Sequence, residues 1–190
     1  MKDLIRRRFA ESIEVKQKTL QENLNNIALA ADEIIRSFKR GGKLILFGNG
    51  GSAADSQHIA AEFIGRFQKE RKSLPAIALT TDTSVLTSLA NDYHFDLVFA
   101  RQIEGLGKRN DVVIAISTSG NSKNVIAAVK QAKKMGIKTI SLTGCGGGKL
   151  ASLTDISIIA SSSVTARIQE SHICIAHVIC EIVENHFSKK

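Results

Sequence analysis

The sequence predicts an α/β fold: a three-layer αβα sandwich with a five-stranded parallel sheet and N-terminal helices. Two observations predict this fold: the alternation of two kinds of segment along the chain, and the chain's length and hydrophobic content. Five short apolar runs of four or five residues alternate with stretches whose apolar residues recur every three or four positions. Parallel strands need crossover connections, which bring helices to both faces of a sheet, so this alternation favours parallel pairing. The length of 190 residues and the hydrophobic content of 43% fit one domain.

The elements follow in chain order. Residues 3–38 carry apolar side chains at helical steps with no Gly or Pro, which predicts one long or two consecutive amphipathic helices. The predicted strands are 43–47, 76–79, 112–116, 139–142 and 156–159, and the clearest helices between them are 53–67 and 122–135. The final helix, 164–187, is apolar on more than one face and needs contacts on several sides. We therefore expect a single domain over residues 1–190, in which 1–40 pack between subunits and 41–190 form the core.

Composition narrows the functional classes. Lys and Arg number 26 against 18 Asp and Glu, a net charge of +8, but the basic residues are scattered and no nucleic-acid-binding motif accompanies them. No apolar run approaches the roughly 18 to 20 residues of a membrane span, and the N-terminus lacks the apolar stretch of a secretory signal. The three cysteines form no CxxC pair. We expect a cytoplasmic protein with reduced thiols and with neither a nucleic-acid nor a membrane partner.

A hydroxyl-rich loop, Ser117-Thr118-Ser119-Gly120-Asn121-Ser122, directly follows the buried strand 112–116 and precedes a helix. The carboxyl end of a parallel strand followed by a helix N-terminus is where anionic ligands bind in open α/β sheets. The alternative is that Ser122 caps the helix and the other residues form a turn.

A glycine turn, Gly48-Asn49-Gly50-Gly51-Ser52-Ala53, follows the first strand and matches the dinucleotide-binding spacing G-x-G-x-x-A. That family of sites needs a carboxylate at the end of the second strand, about 20 residues on. Here that strand ends in Thr80-Thr81, and Asp82 lies 34 positions after Gly48. We therefore expect no nucleotide cofactor, and a turn that lets the backbone approach a sugar or phosphate.

His58 and Glu62 stand four residues apart and share a helix face, so they could ligate a divalent metal or act as acid and base. The alternative is an exposed polar pair. In the final helix, Gln169 and His177 are offset by about 80° and about 12 Å along the axis. This offset makes Gln169 a weaker candidate ligand than the other three residues.

The glycine turn, the serine loop, His58, Glu62, and Ala166-Arg167-Ile168-Gln169-Glu170 with His177 resemble the sugar isomerase (SIS) domain family, and within it the bacterial phosphoheptose isomerases. The resemblance runs nearly end to end. It implies an aldose–ketose isomerase that converts sedoheptulose 7-phosphate into D-glycero-D-manno-heptose 7-phosphate, for heptose in lipopolysaccharide or another surface polysaccharide. It also implies a homotetramer with one zinc ion per subunit.

The resemblance assigns roles to residues by motif. Phosphate binding falls to Ser117, Thr118, Ser119 and Ser122, and sugar binding to Asn49, Gly50, Gly51, Asn91 and Asp92, with Glu62 and Gln169 also at the substrate. Glu62 and His177 would exchange protons, and the metal ligands would be His58, Glu62, Gln169 and His177. Two alternatives remain: a non-catalytic SIS-domain relative that binds the replication initiator DnaA, and an isomerase of another sugar phosphate. The DnaA-binding relative lacks the counterparts of Glu62 and His177, so their presence favours an enzyme.

Overall fold

Five parallel strands form one sheet in the order β2-β1-β3-β4-β5 in the computed structural model, which describes residues 1–188. The last two residues of the predicted domain lie outside this range. The strands are β1 (Leu44–Gly48), β2 (Ala76–Ala78), β3 (Val112–Ser117), β4 (Lys138–Thr143) and β5 (Ile156–Ile159). The helices are α1 (Lys2–Lys39), α2 (Gly51–Ile64), α3 (Thr83–Asp92), α4 (Val98–Leu106), α5 (Lys123–Lys134), α6 (Gly148–Ala151) and α7 (Thr165–Phe187).

Alternate residues of each central strand point into two separate cores, as the twofold period of a strand requires. In β1, Leu44 and Leu46 pack on the side of α1, α2 and α7, whereas Ile45 and Phe47 pack on the side of α4 and α5. Every residue of β1 and β3 is buried. The predicted αβα sandwich with a five-stranded parallel sheet is confirmed.

The N-terminal segment is one helix of 38 residues, which settles the open choice between one helix and two. The second half of this helix packs against the rest of its own chain, and Thr19 is the first buried residue in it. Its first ten residues are exposed, and the side chain of Phe9 is 70% exposed. The chain alone therefore leaves an apolar stretch of α1 uncovered. Within residues 1–188, no helix is long and apolar enough to cross a membrane.

Helix α2 ends earlier than the sequence pattern predicts. The apolar period runs to Phe67, but the helix stops at Ile64 with Gly65 as its C-cap. The backbone N–H of Phe67 instead donates to the carboxylate of Glu184 on α7, at 2.7 Å. A contact with a residue 117 positions away thus overrides the local pattern.

The order of the strands creates one crevice. From β1 the chain moves to one side to form β2 and then to the other side to form β3, so the winding reverses between β1 and β3. In open α/β sheets, ligands bind outside the carboxyl ends of the strands at such a switch point. The glycine turn follows β1 and the serine loop follows β3, so both lie at this crevice.

Candidate functional site

A reciprocal amide pair joins the glycine turn to the start of α5. Asn49 Nδ2 donates to Asn124 Oδ1 at 2.9 Å, and Asn124 Nδ2 donates to Asn49 Oδ1 at 2.8 Å. This pair fixes the N-termini of α2 and α5 beside each other at the switch point. It also engages the side chain of Asn49, which the resemblance assigns to the sugar.

The side chain of Ser122 turns back into the serine loop instead of capping α5. Its Oγ lies 3.0 Å from Ser117 Oγ, and among the described residues neither α5 nor α2 has a side-chain hydrogen bond at its N-cap. Ser122 thus stands at the N-cap position of α5 without a side-chain capping hydrogen bond, and the loop before it forms a turn in which the N–H of Gly120 donates to Ser117 O at 3.0 Å. Ser119 is exposed, and its Oγ accepts a hydrogen bond from the N–H of Asn121 at 3.2 Å. A helix N-terminus with no side-chain cap, beside several hydroxyls, suits an anion.

The glycine-rich segment 144–148 forms a wall behind the serine loop, a role that the sequence did not reveal. The N–H of Gly144 donates to Thr118 O at 3.0 Å, and the N–H of Leu150 donates to Gly120 O at 2.9 Å. Gly120 has φ +65°, and a Cβ there would lie 2.0 Å from Gly147 O. The contact between the two loops therefore requires glycine at position 120.

Helices α2 and α7 run side by side in the same direction and present their polar residues to each other. Near their starts, the amide of Gln169 lies so close to Gly51 that a Cβ on that glycine would be 2.2 Å from Gln169 Nε2. Two turns further, His58 Nε2 lies 3.0 Å from His177 Nε2. Helix α7 thus adds a third group, His177, to the pair of His58 and Glu62, in which the side chain of His58 is 49% exposed.

The cluster of His58, Glu62 and His177 has the composition of a metal centre. One ligand atom from each residue lies within 4.8 Å of the others, and His58 Nε2 is 3.3 Å from Glu62 Oε1. Two imidazole nitrogens and one carboxylate oxygen are a donor set of catalytic zinc sites, which keep a further position open for water or substrate. The residues therefore fit a divalent metal. The structure places Gln169 beside the glycine turn, and its role as a fourth ligand stays a prediction.

Asp55 is a further candidate site residue, to which the sequence pattern assigns no role. It lies three residues before His58 on α2, and its Oδ2 is buried without a hydrogen-bond partner among the described residues. Burial raises the pKa of Asp55, and the neighbouring His58 partly offsets this effect. Only a three-dimensional environment could reveal it, since the sequence shows one more Asp in a helix.

The remaining candidates lie apart. Asn91 and Asp92 end α3, both are exposed, and Asn91 Nδ2 donates to Asp92 Oδ1 at 2.8 Å. Within residues 1–188, no hydrogen bond joins their side chains to the serine loop or the glycine turn, so their role at the sugar stays a prediction. His172 is buried in the core, where its Nε2 lies 2.9 Å from Thr143 O.

Comparison with known proteins gives the same family as the motifs. The SIS domain family model matches residues 8–144. The phosphoheptose isomerase of Roseiflexus sp. (strain RS-1) is 56% identical over 173 residues, which cover 91% of this chain and 88% of that protein. The phosphoheptose isomerase of Thermodesulfovibrio yellowstonii is 50% identical over 185 residues, covering 97% and 92%.

Solved structures agree in fold over nearly the whole chain. The phosphoheptose isomerase of Neisseria gonorrhoeae superposes with a TM-score of 0.92 at 43% identity, covering 97% of this chain and 98% of that one. The phosphoheptose isomerase of Francisella tularensis gives a TM-score of 0.93 at 38% identity, covering 96% and 97%. The chain therefore belongs to the phosphoheptose isomerases, a family of aldose–ketose isomerases built on the SIS domain.

Proposed function

We propose that this protein converts sedoheptulose 7-phosphate into D-glycero-D-manno-heptose 7-phosphate, which supplies heptose for lipopolysaccharide or another surface polysaccharide. The observation that carries the proposal is that α2 starts at the glycine turn, which an amide pair joins to the start of α5, and also carries His58 and Glu62 of the catalytic cluster. The hydroxyls of the serine loop lie at the N-terminus of α5, and the cluster of His58, Glu62 and His177 lies between α2 and α7. The first suits a phosphate, and the second suits proton transfer at a carbonyl.

Phosphate binding falls to Ser117, Thr118, Ser119 and Ser122. Their loop is held from behind by the glycine-rich segment, so its backbone and hydroxyls are preorganised. The phosphate does not change during the reaction, and this part of the site therefore binds substrate and transition state alike. The glycine turn at Gly50 and Gly51, with Gln169 against it, is proposed to face the sugar.

Isomerisation requires removal of a proton from C1 of the ketose and delivery of a proton to C2 through an enediol. Glu62 is proposed as the base and His177 as its partner acid. Both side chains border His58, from α2 and from α7, so the groups face one another across a narrow space. A zinc ion held by His58, Glu62, His177 and Gln169 would supply Lewis-acid polarisation of the sugar oxygens.

The decisive experiment is the variant Glu62→Gln, which keeps size and hydrogen bonding but accepts no proton. Incubation with sedoheptulose 7-phosphate, followed by NMR, measures formation of the aldose. If Glu62 is the base, turnover falls by roughly 10² to 10⁴, the usual contribution of a positioned general base. Glu104→Gln changes an exposed glutamate on α4 in the same way, and this control should keep full activity.

Zinc content must be measured with the rate, since Glu62 is also a proposed ligand. Full activity of metal-replete Glu62→Gln would contradict the mechanism and would leave a non-catalytic sugar-phosphate binder as the better interpretation. A wild-type protein that converts another sugar phosphate but not this one would identify an isomerase of different specificity.

We also propose that four chains assemble into a homotetramer. About half of the exposed large apolar side chains lie on the two long helices: Leu4, Ile5, Phe9, Ile13, Leu20, Leu24 and Leu29 on α1, and Val178 and Ile182 on α7. Exposed apolar surface of this extent is typical of protein–protein interfaces. The sequence predicts subunit packing for residues 1–40, and the exposed apolar side chains lie mainly in the first half of this segment, since its second half packs on the core of its own chain. A cytoplasmic location stays a prediction.

A further inference from the structure

A buried ion pair lies next to the proposed catalytic cluster, in a place where the mechanism gives it no role. Arg71 Nε and Glu184 Oε1 are 3.2 Å apart, and the two side chains are only 1% and 2% exposed. Removing two charges from water is costly, and the attraction between them often does not repay that cost. The backbone groups that these two side chains bind therefore indicate what the ion pair does.

Arg71 binds the open carbonyl end of α2. Its Nη2 donates to Glu62 O at 2.7 Å, and its Nη1 donates to Phe63 O at 2.9 Å and to Gly65 O at 3.2 Å. The last four carbonyls of a helix have no partner within it, and α2 has no basic residue in its own last turn. Arg71 thus fixes the turn of α2 that carries Glu62.

Glu184 binds the segment that follows α2. Its carboxylate accepts the N–H groups of Phe67 and Gln68 at 2.7 Å and that of Lys69 at 2.8 Å. Burial alone would raise the pKa of Glu184, but these hydrogen bonds and the charge of Arg71 outweigh it and lower the pKa. The carboxylate is therefore charged when it holds this segment.

The held segment contacts the second catalytic candidate. The ring of Phe67 packs on the imidazole of His177, with centroids 5.4 Å apart. Glu184 lies on the same helix as His177, two turns further along α7. The Arg71–Glu184 ion pair thus connects three parts of the chain. These are the turn of α2 that carries Glu62, the segment that contains Phe67, and helix α7, which carries His177.

We propose that Arg71 and Glu184 are positioning residues that set the separation and orientation of Glu62 and His177. They do so from behind the site and touch no substrate. The inference rests on the proposed function, in which Glu62 and His177 exchange protons. Small displacements of reacting groups are costly in rate, since a misplacement of about 1 Å can cost about 10²-fold.

The test compares Glu184→Gln with a matched control. Gln keeps the shape of the side chain, but its NH₂ group cannot accept the backbone N–H groups of residues 67–69. The control is Asp111→Asn, in a second ion pair: Asp111 Oδ2 lies 2.6 Å from Lys43 Nζ, its side chain is 2% exposed, and it also accepts backbone N–H groups. That pair lies at the amino ends of β1 and β3, at the opposite edge of the sheet from the site.

Both variants should lower the melting temperature, and only Glu184→Gln should impair catalysis. We expect its kcat on sedoheptulose 7-phosphate to fall about 10- to 100-fold with little change in KM, since the phosphate site is untouched. Arg71→Lys keeps the positive charge but loses the forked hydrogen bonds to the carbonyls of Glu62, Phe63 and Gly65, and should show the same kcat effect with a smaller loss of stability. It serves as the second test if Glu184→Gln does not fold.

A second measurement is independent of isomerase activity. The imidazole NMR signals of His58 and His177 should shift in Glu184→Gln and Arg71→Lys and stay in place in Asp111→Asn. Unmoved histidine signals, with a kcat equal to that of Asp111→Asn, would reduce the pair to a structural role and overturn the proposal. If the wild type does not isomerise the heptose phosphate, the proposed function fails, whereas the histidine signals still decide whether the pair positions the cluster.

Discussion

Burial of His172 should make the folded protein less stable in acid. The side chain is 1% exposed, and its Nε2 donates to Thr143 O at 2.9 Å in the neutral tautomer that this contact favours. Its Nδ1 is buried with no hydrogen-bond partner among the described residues. A proton on Nδ1 would therefore be buried without an acceptor. Burial lowers the pKa of His172 from 6.5 to about 4, although the hydrogen bond to Thr143 opposes the shift.

The direction of the effect follows from where the proton binds first. As the pH falls, the unfolded chain protonates at 6.5, well before the folded protein does at about 4. The contribution to stability is complete above pH 6.5 and is lost progressively as the pH falls towards 4. For these two values, the free energy of unfolding at pH 4.5 is about 2.5 kcal/mol lower than at pH 7 from this residue alone.

Urea unfolding at pH 7 and pH 4.5 measures the loss, and His172→Gln is the control. Gln cannot gain a proton, and its amide can still donate to Thr143 O. The other titrating groups are the same in both proteins, so the difference between the two pH dependences isolates His172. An equal loss of stability in wild type and variant would show that His172 is protonated in the folded state and would refute the reasoning.

Three further predictions concern the site and the assembly. Ser119→Ala should raise KM more than it lowers kcat, because the phosphate is bound alike in the ground and transition states. Steady-state kinetics tests this prediction, and the control is Ser84→Ala, which changes an exposed serine on α3. His58→Ala should lose bound zinc in metal analysis while His186→Ala retains it, and stoichiometric zinc in the first variant would remove His58 from the ligands. Light scattering should give four times the chain mass of 20.6 kDa, and a monomer at micromolar concentration would contradict the tetramer.

Most of the fold was predictable because it depends on short-range patterns. Apolar runs separated by helical periods specify parallel strands with crossovers, and all five predicted strands are present. The end of α2 was not predictable in the same way. The apolar period continues to Phe67, but the helix ends at Ile64, where Arg71 binds its last carbonyls and Glu184 of α7 accepts the N–H of Phe67.

The site was predictable to the extent that topology and helical spacing define it. Strand order places the glycine turn and the serine loop together, and a four-residue step places His58 with Glu62. The sequence contains no signal for the charged residues that are proposed to position the catalytic cluster without touching the substrate. Arg71 and Glu184 resemble surface residues in the sequence, because nothing local shows that both are buried and face each other.

The architecture divides the proposed work between two kinds of element. The loops at the carboxyl ends of β1 and β3 are proposed to bind the phosphate, which does not change in the reaction. The paired helices α2 and α7 carry the side chains that are proposed to transfer protons. The Asn49–Asn124 amide pair couples the two parts, since it ties the start of α2 to the start of α5. Changes in the loops should therefore act mainly on KM, and changes between the helices mainly on kcat. A substitution at Asn124 should affect both, because it alters the distance between the bound phosphate and Glu62.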